Sequence, residues 1–150
     1  MKILITGVLG QLGHDVQKEA VKRGHVVKGV DVHDMDITDL HAVRAVMTDF
    51  NMDAVIHCAA YTAVDAAEEN IELARLVNSD GTRNIASVAG ELDCKMLYIS
   101  TDYVFDGSGS TPFQPDAERV PLNVYGQTKY EGELAVEKLV KKHFIVRISW

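Results

Sequence analysis

Short apolar runs alternate with longer amphipathic segments along the whole chain. The runs have the length and aliphatic content of buried strands, which we predict at residues 2–6, 25–30, 54–58, 95–100 and 144–148. Helical periodicity between them predicts helices at 11–23, 39–51, roughly 71–91 and 125–142. The alternation predicts an α/β fold of the Rossmann type, a doubly wound parallel sheet with helices on both faces.

The segment 105–123 breaks this alternation. It holds all three prolines and is unusually long for a loop in a compact domain, and loops of such length usually serve function. The chain then stops directly after the last predicted strand. We therefore expect residues 1–150 to form one α/β domain cut from a longer protein.

Composition narrows the classes of partner. The 150 residues carry a formal net charge of -7 without a basic run, which disfavours nucleic acid and membrane surfaces and favours a small-molecule partner. The cysteines Cys58 and Cys94 lie far apart and outside any metal-ligand spacing, so we expect no metal site and a reduced, cytoplasmic protein.

A glycine-rich turn follows the first predicted strand and opens the first predicted helix. It reads Gly7-Val-Leu-Gly10-Gln11-Leu12-Gly13. The first glycine permits the tight turn, the second lets backbone amides approach a pyrophosphate, and the third lets the helix pack against the sheet. The spacing matches the extended short-chain dehydrogenase/reductase pattern and predicts a dinucleotide cofactor.

An acidic residue, Asp31, ends the second predicted strand, eighteen positions after Gly13. A carboxylate at this place can accept hydrogen bonds from the adenosine ribose hydroxyls, and the absence of a neighbouring Arg or Lys favours NADH over NADPH. Asp36 and Ile37 follow as weaker candidates for contacts with the adenine. Preference between the two cofactors stays open.

Tyr125 and Lys129 lie four residues apart at the start of a predicted helix, and therefore on one face. A phenol is a poor proton source at neutral pH, and a nearby ammonium lowers its pKa. Upstream, Thr101 ends a buried strand at the sheet edge where open α/β sheets assemble their sites, and its hydroxyl can bond a substrate oxygen.

Three longer segments carry a specific resemblance. They are His57-Cys-Ala-Ala-Tyr-Thr-Ala-Val-Asp65, Ser100-Thr-Asp-Tyr-Val-Phe105 and Pro121-Leu-Asn-Val-Tyr-Gly-Gln-Thr-Lys129, and the chain ends in Ser149-Trp150. In register, they resemble the dTDP-4-dehydrorhamnose reductase family over the whole chain. His57 itself lies within a strand, and we interpret it as a packed or hydrogen-bonded histidine rather than a catalytic one.

The resemblance implies roles for particular residues. Thr101, Tyr125 and Lys129 would form the catalytic triad, and Asn78 would help to hold the lysine through water. The residues expected to line the cofactor are Gly7, Gly10, Gln11, Leu12, Gly13, Asp31, Asp36, Ile37, Ala59, Ala60, Tyr61, Asn78, Tyr125 and Lys129. The substrate would contact Thr101, Asp102, Tyr103 and Trp150, the last of which is equally explicable as a core tryptophan.

The implied activity is reduction of a dTDP-4-keto-6-deoxy sugar to dTDP-L-rhamnose with NADH or NADPH, and Tyr125 would supply the proton. We thus expect residues 1–150 to be the NAD(P)-binding Rossmann domain, with the C-terminal substrate domain absent from this chain, and a homodimer is a possible assembly. Two alternatives remain open: a non-catalytic regulatory subunit like the β subunit of methionine adenosyltransferase, and an NAD-dependent sugar-nucleotide epimerase or dehydratase. The retained Thr101, Tyr125 and Lys129 weigh against the first alternative.

Overall fold

A computed structural model describes residues 1–108 and 110–149. Its centre is a parallel sheet of five strands in the order β2-β1-β3-β4-β5. The strands are β1 (Lys2–Thr6), β2 (Val26–Val30), β3 (Ala54–His57), β4 (Lys95–Thr101) and β5 (His143–Ile148). Each predicted strand is present, within one residue at every end.

The strand order reverses direction at β1. The chain runs from β1 to β2 and then returns to place β3 on the other side of β1, with Ile5 paired to both Gly29 and Ile56. In open α/β sheets, ligands bind outside the carboxyl ends of the strands where the order reverses. The topology therefore marks the end of β1 and β3 as the place for a site.

Helices pack on both sides of the sheet. They are α1 (Gln11–Lys22), α2 (Leu40–Phe50), α3 (Val64–Glu69), α4 (Ile71–Arg75), α5 (Thr82–Glu91) and α6 (Val124–Leu139). Because strand side chains alternate between faces, Ile3 and Ile5 pack with α1, whereas Leu4 faces the core that α2, α5 and α6 cover. The predicted α/β fold is confirmed.

The predicted helix over 71–91 is not continuous. A π-helical turn, Leu76–Gly81, separates α4 from α5, and the sequence pattern did not indicate it. Such turns are frequent at functional sites. Two smaller differences occur: α3 was not predicted, and α6 ends at Leu139 because Val140 takes an extended conformation.

Residues 105–123 contain no helix or strand among those that the structure describes, as predicted. A short 3-10 turn, Asp102–Val104, leads from β4 into this loop. On the other side of the loop, the Asn123 side chain accepts a hydrogen bond of 2.7 Å from the amide of Gly126 and so caps α6.

Candidate active site

A cleft of about 770 Å³ lies at the carboxyl ends of the strands, at the reversal point of the sheet. It collects residues from the ends of β1, β2, β4 and β5, from the turn after β3, and from α1 and α6. Its walls include Thr6, Gly7, Gly10, Gln11, Leu12, Gly13, Asp31, Asp36, Ile37, Cys58, Ala59, Ala60, Thr62, Ser100, Thr101, Tyr125, Lys129 and Ile148. The predicted glycine loop and the predicted triad thus open into one cavity.

The glycine loop is shaped by close backbone approach. Gly7 has a φ of 71°, which favours glycine, and its amide donates to the carbonyl of Val30 at 2.9 Å. A Cβ on Gly7 would lie 2.8 Å from the backbone of Ala59, and one on Gly13 would overlap the Gly7 carbonyl oxygen. The loop therefore needs glycine at both positions for its own packing.

Gly10 differs from these two glycines. A Cβ there would meet only the Gly7 carbonyl oxygen, at 3.3 Å. Gly10 is also the N-cap of α1, where no side chain bonds the first amides of the helix. Free N–H groups at a helix N-terminus form an anion site, so the cradle fits the pyrophosphate of a dinucleotide.

The carboxylate of Asp31 is tied to the glycine loop. One of its oxygens accepts from the amide of Leu9 and the other from the amide of Val32, both at 2.9 Å. Each carboxylate oxygen has a second lone pair, so Asp31 can still accept from a ribose. Asp36 is exposed and bonds Thr38, whereas Ile37 is buried beside the cleft.

The turn after β3 forms the floor of the cleft. The Thr6 hydroxyl oxygen accepts from the amides of Cys58 and Ala59, each at 3.2 Å. Burial raises the pKa of the Cys58 thiol to about 11, so it stays protonated. The floor is therefore neutral.

Asn78, in the π-helical turn, holds the backbone of Tyr61, which follows the turn after β3. Its side chain accepts from the Tyr61 amide at 2.8 Å and donates to the Tyr61 carbonyl and to the Thr128 hydroxyl, both at 3.1 Å. Thr128 belongs to α6, between Tyr125 and Lys129. Asn78 therefore links the β3 turn to the helix of the predicted triad, without lining the cleft itself.

Tyr125 and Thr101 lie at the far end of the cleft. Tyr125 is half-buried and packs edge-on against Tyr103 with ring centroids 5.7 Å apart. The Thr101 hydroxyl donates to Asp102 at 3.2 Å and accepts from the Tyr103 amide. Burial raises the pKa of Tyr125, so its phenol is protonated and can serve as a proton donor.

Lys129 is almost fully buried, with 2% of its surface exposed. Its ammonium donates to the carbonyl of Ile99 at 2.7 Å and lies 4.2 Å from the ring centre of Tyr98. Burial lowers the pKa of Lys129 to about 7, an effect that Glu133 partly offsets. The pKa of Tyr125 is raised rather than lowered as predicted, because burial and the nearby Asp102 carboxylate both disfavour the phenolate.

A buried ion cluster, which the sequence analysis missed, lies behind the triad. Glu133 has no exposed surface and accepts hydrogen bonds from Arg147 of β5 and from Arg119 of the long loop. Burial disfavours its charged form, yet these arginines hold the pKa of Glu133 below its usual range. Arg147 also donates to the Pro115 carbonyl, so the cluster pins the 105–123 loop.

Several predicted residues lie outside the walls of the cleft. Tyr61 and Asn78 stand behind its floor, and Asp102 and Tyr103 are exposed beside Thr101. The Asp102 carboxylate accepts from the Ser149 hydroxyl at 2.6 Å. Trp150 lies outside the described residues.

Residues 1–108 and 110–149 show neither a cluster of metal-binding side chains nor a helix that could cross a membrane. They contain no group of three or more His, Cys, Asp or Glu side chains arranged to hold a metal ion. No helix among them is long and apolar enough to cross a membrane.

The chain matches the model of the RmlD substrate binding domain over residues 1–150. It is 41% identical to the dTDP-4-dehydrorhamnose reductase of Mycolicibacterium smegmatis over 150 residues, which are 99% of this chain and 45% of that protein. The chain spans about half the length of the curated relatives it matches.

Solved structures give the same result. A dTDP-4-dehydrorhamnose reductase from Clostridium acetobutylicum superposes with a TM-score of 0.97 at 44% identity, covering 100% of this chain and 54% of that one. The Bacillus anthracis reductase, solved in complex with NADP, also has a TM-score of 0.97, at 40% identity, covering 99% and 54%.

Proposed function

The chain belongs to the RmlD substrate binding domain family, and from this premise we propose that it is the cofactor-binding and proton-donating part of a dTDP-4-dehydrorhamnose reductase. The observation that carries the proposal is the shared cleft. The glycine loop and the side chains of Thr101, Tyr125 and Lys129 line one cavity at the sheet reversal.

The cofactor is NADH or NADPH. The N-terminus of α1 and Gly10 bind the pyrophosphate, Asp31 accepts from the adenosine ribose, and Ile37 packs beside the adenine. Ala59 and Ala60 line the middle of the cleft. When bound, the cofactor supplies a hydride for the 4-keto carbon of the sugar.

Tyr125 supplies the proton that completes the reduction. Its raised pKa keeps the phenol protonated until the keto oxygen becomes basic, and the proton then passes to that oxygen. Thr101 orients the same oxygen through its hydroxyl. Lys129 binds the nicotinamide ribose, and its ammonium stabilises the phenolate left on Tyr125.

The substrate pocket is completed by further protein. In β5, the apolar side chains Phe144 and Val146 are 65% and 39% exposed, on the face of the sheet opposite the core of α6. Exposed apolar surface of this kind suits a second domain. We propose that this domain binds the dTDP-sugar beside Tyr103, that the enzyme works in the cytoplasm, and that a homodimer is its assembly.

The test is Tyr125→Phe, assayed on any longer polypeptide that contains the chain. We expect a loss of about 100- to 10,000-fold in reduction of a dTDP-4-keto sugar, because only the proton donor is removed. The ring remains, so the affinity for NADH, measured by nicotinamide fluorescence, stays within about twofold.

Tyr130→Phe is the matched control, since it removes a tyrosine hydroxyl from the same helix, outside the cleft walls, and should retain turnover. Near-normal turnover by Tyr125→Phe would overturn the mechanism. Cofactor binding without any reduction by the unaltered protein would instead favour the regulatory-subunit alternative. The relatives described above have reductase names, and none favours either alternative.

A further inference from the structure

His57, at the end of β3, is fully buried and bonded at both ring nitrogens. Its Nδ1 lies 2.7 Å from the Thr6 hydroxyl, and its Nε2 lies 3.1 Å from the Thr82 hydroxyl. These bonds join β1, β3 and α5 across the interior of the domain. The proposed mechanism uses none of these three side chains.

The hydrogen-bond inventory fixes the direction of each bond. The Thr6 hydroxyl oxygen already accepts from the Cys58 and Ala59 amides, which uses both of its lone pairs. The hydroxyl must therefore donate to Nδ1 of His57. Nδ1 carries no proton, and the single proton of the neutral ring is on Nε2, which donates to Thr82.

The surroundings keep the ring neutral. His57 stacks on Tyr98 at 5.7 Å, and the ammonium of Lys129 lies over the same tyrosine ring. Burial lowers the pKa of His57 to about 3, and the charge of Lys129 acts in the same direction. No proton is therefore available at Nδ1 to compete with Thr6.

The consequence is felt at the cleft. Because the Thr6 hydroxyl donates its hydrogen bond to His57, its oxygen is held toward the Cys58 and Ala59 amides, and these two bonds tie the turn after β3 to the end of β1. The backbone of Ala59 then lies against Gly7, within 2.8 Å of where a Cβ would stand. The position of the Ala59 backbone relative to the glycine loop thus depends on the buried side chain of His57, through Thr6.

We propose that His57 is a positioning residue of the cofactor cleft: as the neutral Nε2–H tautomer, it orients the Thr6 hydroxyl and thereby fixes Ala59 against the glycine loop. This inference rests on the proposed function for its effect on NADH or NADPH affinity. The tautomer and the fixed turn are properties of the domain without cofactor.

The first test needs no cofactor. Nitrogen-15 NMR of the chain should show His57 as an imidazole protonated at Nε2 and unprotonated at Nδ1. At neutral pH the signals of the Nδ1–H tautomer should not appear. Hydrogen exchange at the Ala59 amide should be slow. Protonation at Nδ1 would overturn the proposal.

The second test compares variants at equal folded fraction. His57→Phe keeps the ring and its stacking but removes the acceptor, and Thr6→Val removes the hydroxyl at constant shape. His57→Phe should speed exchange at Ala59 and weaken NADH binding about tenfold, and Thr6→Val should do both at least as strongly, because it also removes the acceptor of the Cys58 and Ala59 amides. Because His57 acts through the Thr6 hydroxyl, the double variant should bind no more weakly than Thr6→Val alone.

Val55→Ala is the control for stability alone. It removes a fully buried side chain two positions earlier on the same strand, away from the cleft walls, so it should lower the melting temperature without changing affinity or exchange at Ala59. His57→Asn, whose amide oxygen can replace Nδ1, should restore most of the affinity.

Affinity and exchange in His57→Phe that match those of Val55→Ala would reduce His57 to a packing role and overturn the proposal. If the unaltered chain binds no nicotinamide cofactor, the proposed function fails, whereas the tautomer and the Ala59 exchange still decide the role of His57.

Discussion

The two ends of the cleft are built by different means. The glycine-loop end, formed by Gly7, Gly10, Gly13 and Asp31, is made largely of backbone contacts and of one carboxylate bonded to a backbone amide. The Tyr–Lys end, which here means Thr101, Tyr125 and Lys129, depends on side chains of β4 and α6, of which Thr101 and Lys129 are buried.

This difference has a physical reason. A pyrophosphate is bound by amides whose direction is set by the local turn, so the glycine-loop end needs space and little else. Proton transfer requires titratable groups, and their pKa values depend on distant neighbours. Lys129 is held by a carbonyl of β4 and influenced by Glu133, which arginines from β5 and the long loop bind in turn.

The largest expected effect on stability is at the glycine-loop end. Gly13→Ala places a methyl group on the Gly7 carbonyl oxygen, and neither backbone segment can move without displacing α1 or β1. We expect the free energy of unfolding to fall by about 3 kcal/mol and NADH affinity to fall at least about 100-fold. Thermal melts and fluorescence titration measure both.

Gly10→Ala is the matched comparison in the same loop. Its methyl group meets protein only at 3.3 Å, so stability should change by less than about 1 kcal/mol, while crowding of the pyrophosphate still lowers affinity. Equal destabilisation by the two substitutions would show that both glycines serve packing alone.

At the Tyr–Lys end, we expect Lys129→Met to stabilise the fold. The pKa of Lys129 falls from its ordinary value of 10.5 to about 7 on burial, so below pH 7 the folded protein must bury a charge. Methionine fills similar volume without that cost, and a gain of about 2 kcal/mol at neutral pH follows. Loss of the ammonium should at the same time weaken cofactor binding.

The pH dependence of stability tests whether the buried charge of Lys129 is the cause of this difference. Between pH 7 and 10.5 the unfolded lysine holds a proton that the folded lysine has released, so the unaltered protein becomes more stable as pH rises. Its deficit relative to Lys129→Met should therefore shrink across this range, as measured by the difference in melting temperature. A difference that is constant with pH would mean that burial of charge is not the reason.

The same contrast describes what the sequence could predict. The strands, the loop over 105–123 and the glycine spacing were readable because each rests on local pattern, namely apolar runs, prolines and a strand-turn-helix context. The π-helical turn at Leu76–Gly81 could not be predicted in this way, because the segments on both sides of it keep helical periodicity. Its asparagine, Asn78, was identified through family resemblance alone.

Ion pairs between residues distant in the sequence were the main feature that could not be predicted. Glu133 looks like an ordinary surface residue of α6 by spacing, and nothing near it in sequence signals that Arg119 and Arg147 meet it in the interior. The signal that could have helped is its position one turn after Lys129, on the same buried face of the helix. Periodicity places residues on faces but does not pair charges between elements.

The smallest expected effect on binding is that of substitutions at Asp31. Its carboxylate both bonds the backbone of the glycine loop and faces the site proposed for the ribose. Asp31→Ala removes the acceptor of the Leu9 amide as well as any acceptor for a ribose hydroxyl. Affinity for NADH should therefore fall about tenfold. Affinity for NADPH should fall less, because its 2′-phosphate also loses a repulsive neighbour.

Asp31→Asn separates these two contributions. Its single amide oxygen can still accept from Leu9, so the loop keeps its conformation while the negative charge beside the ribose disappears. We expect NADH affinity within about threefold of the unaltered protein and a shift of a few-fold toward NADPH, since removal of charge alone changes the discrimination between the two cofactors. Parallel titrations with NADH and NADPH give both ratios. If Asp31→Asn and Asp31→Ala lower the affinities for NADH and NADPH equally, so that the ratio of the two affinities is unchanged, Asp31 acts only on the loop. The charge of Asp31 would then play no part in discrimination between the two cofactors.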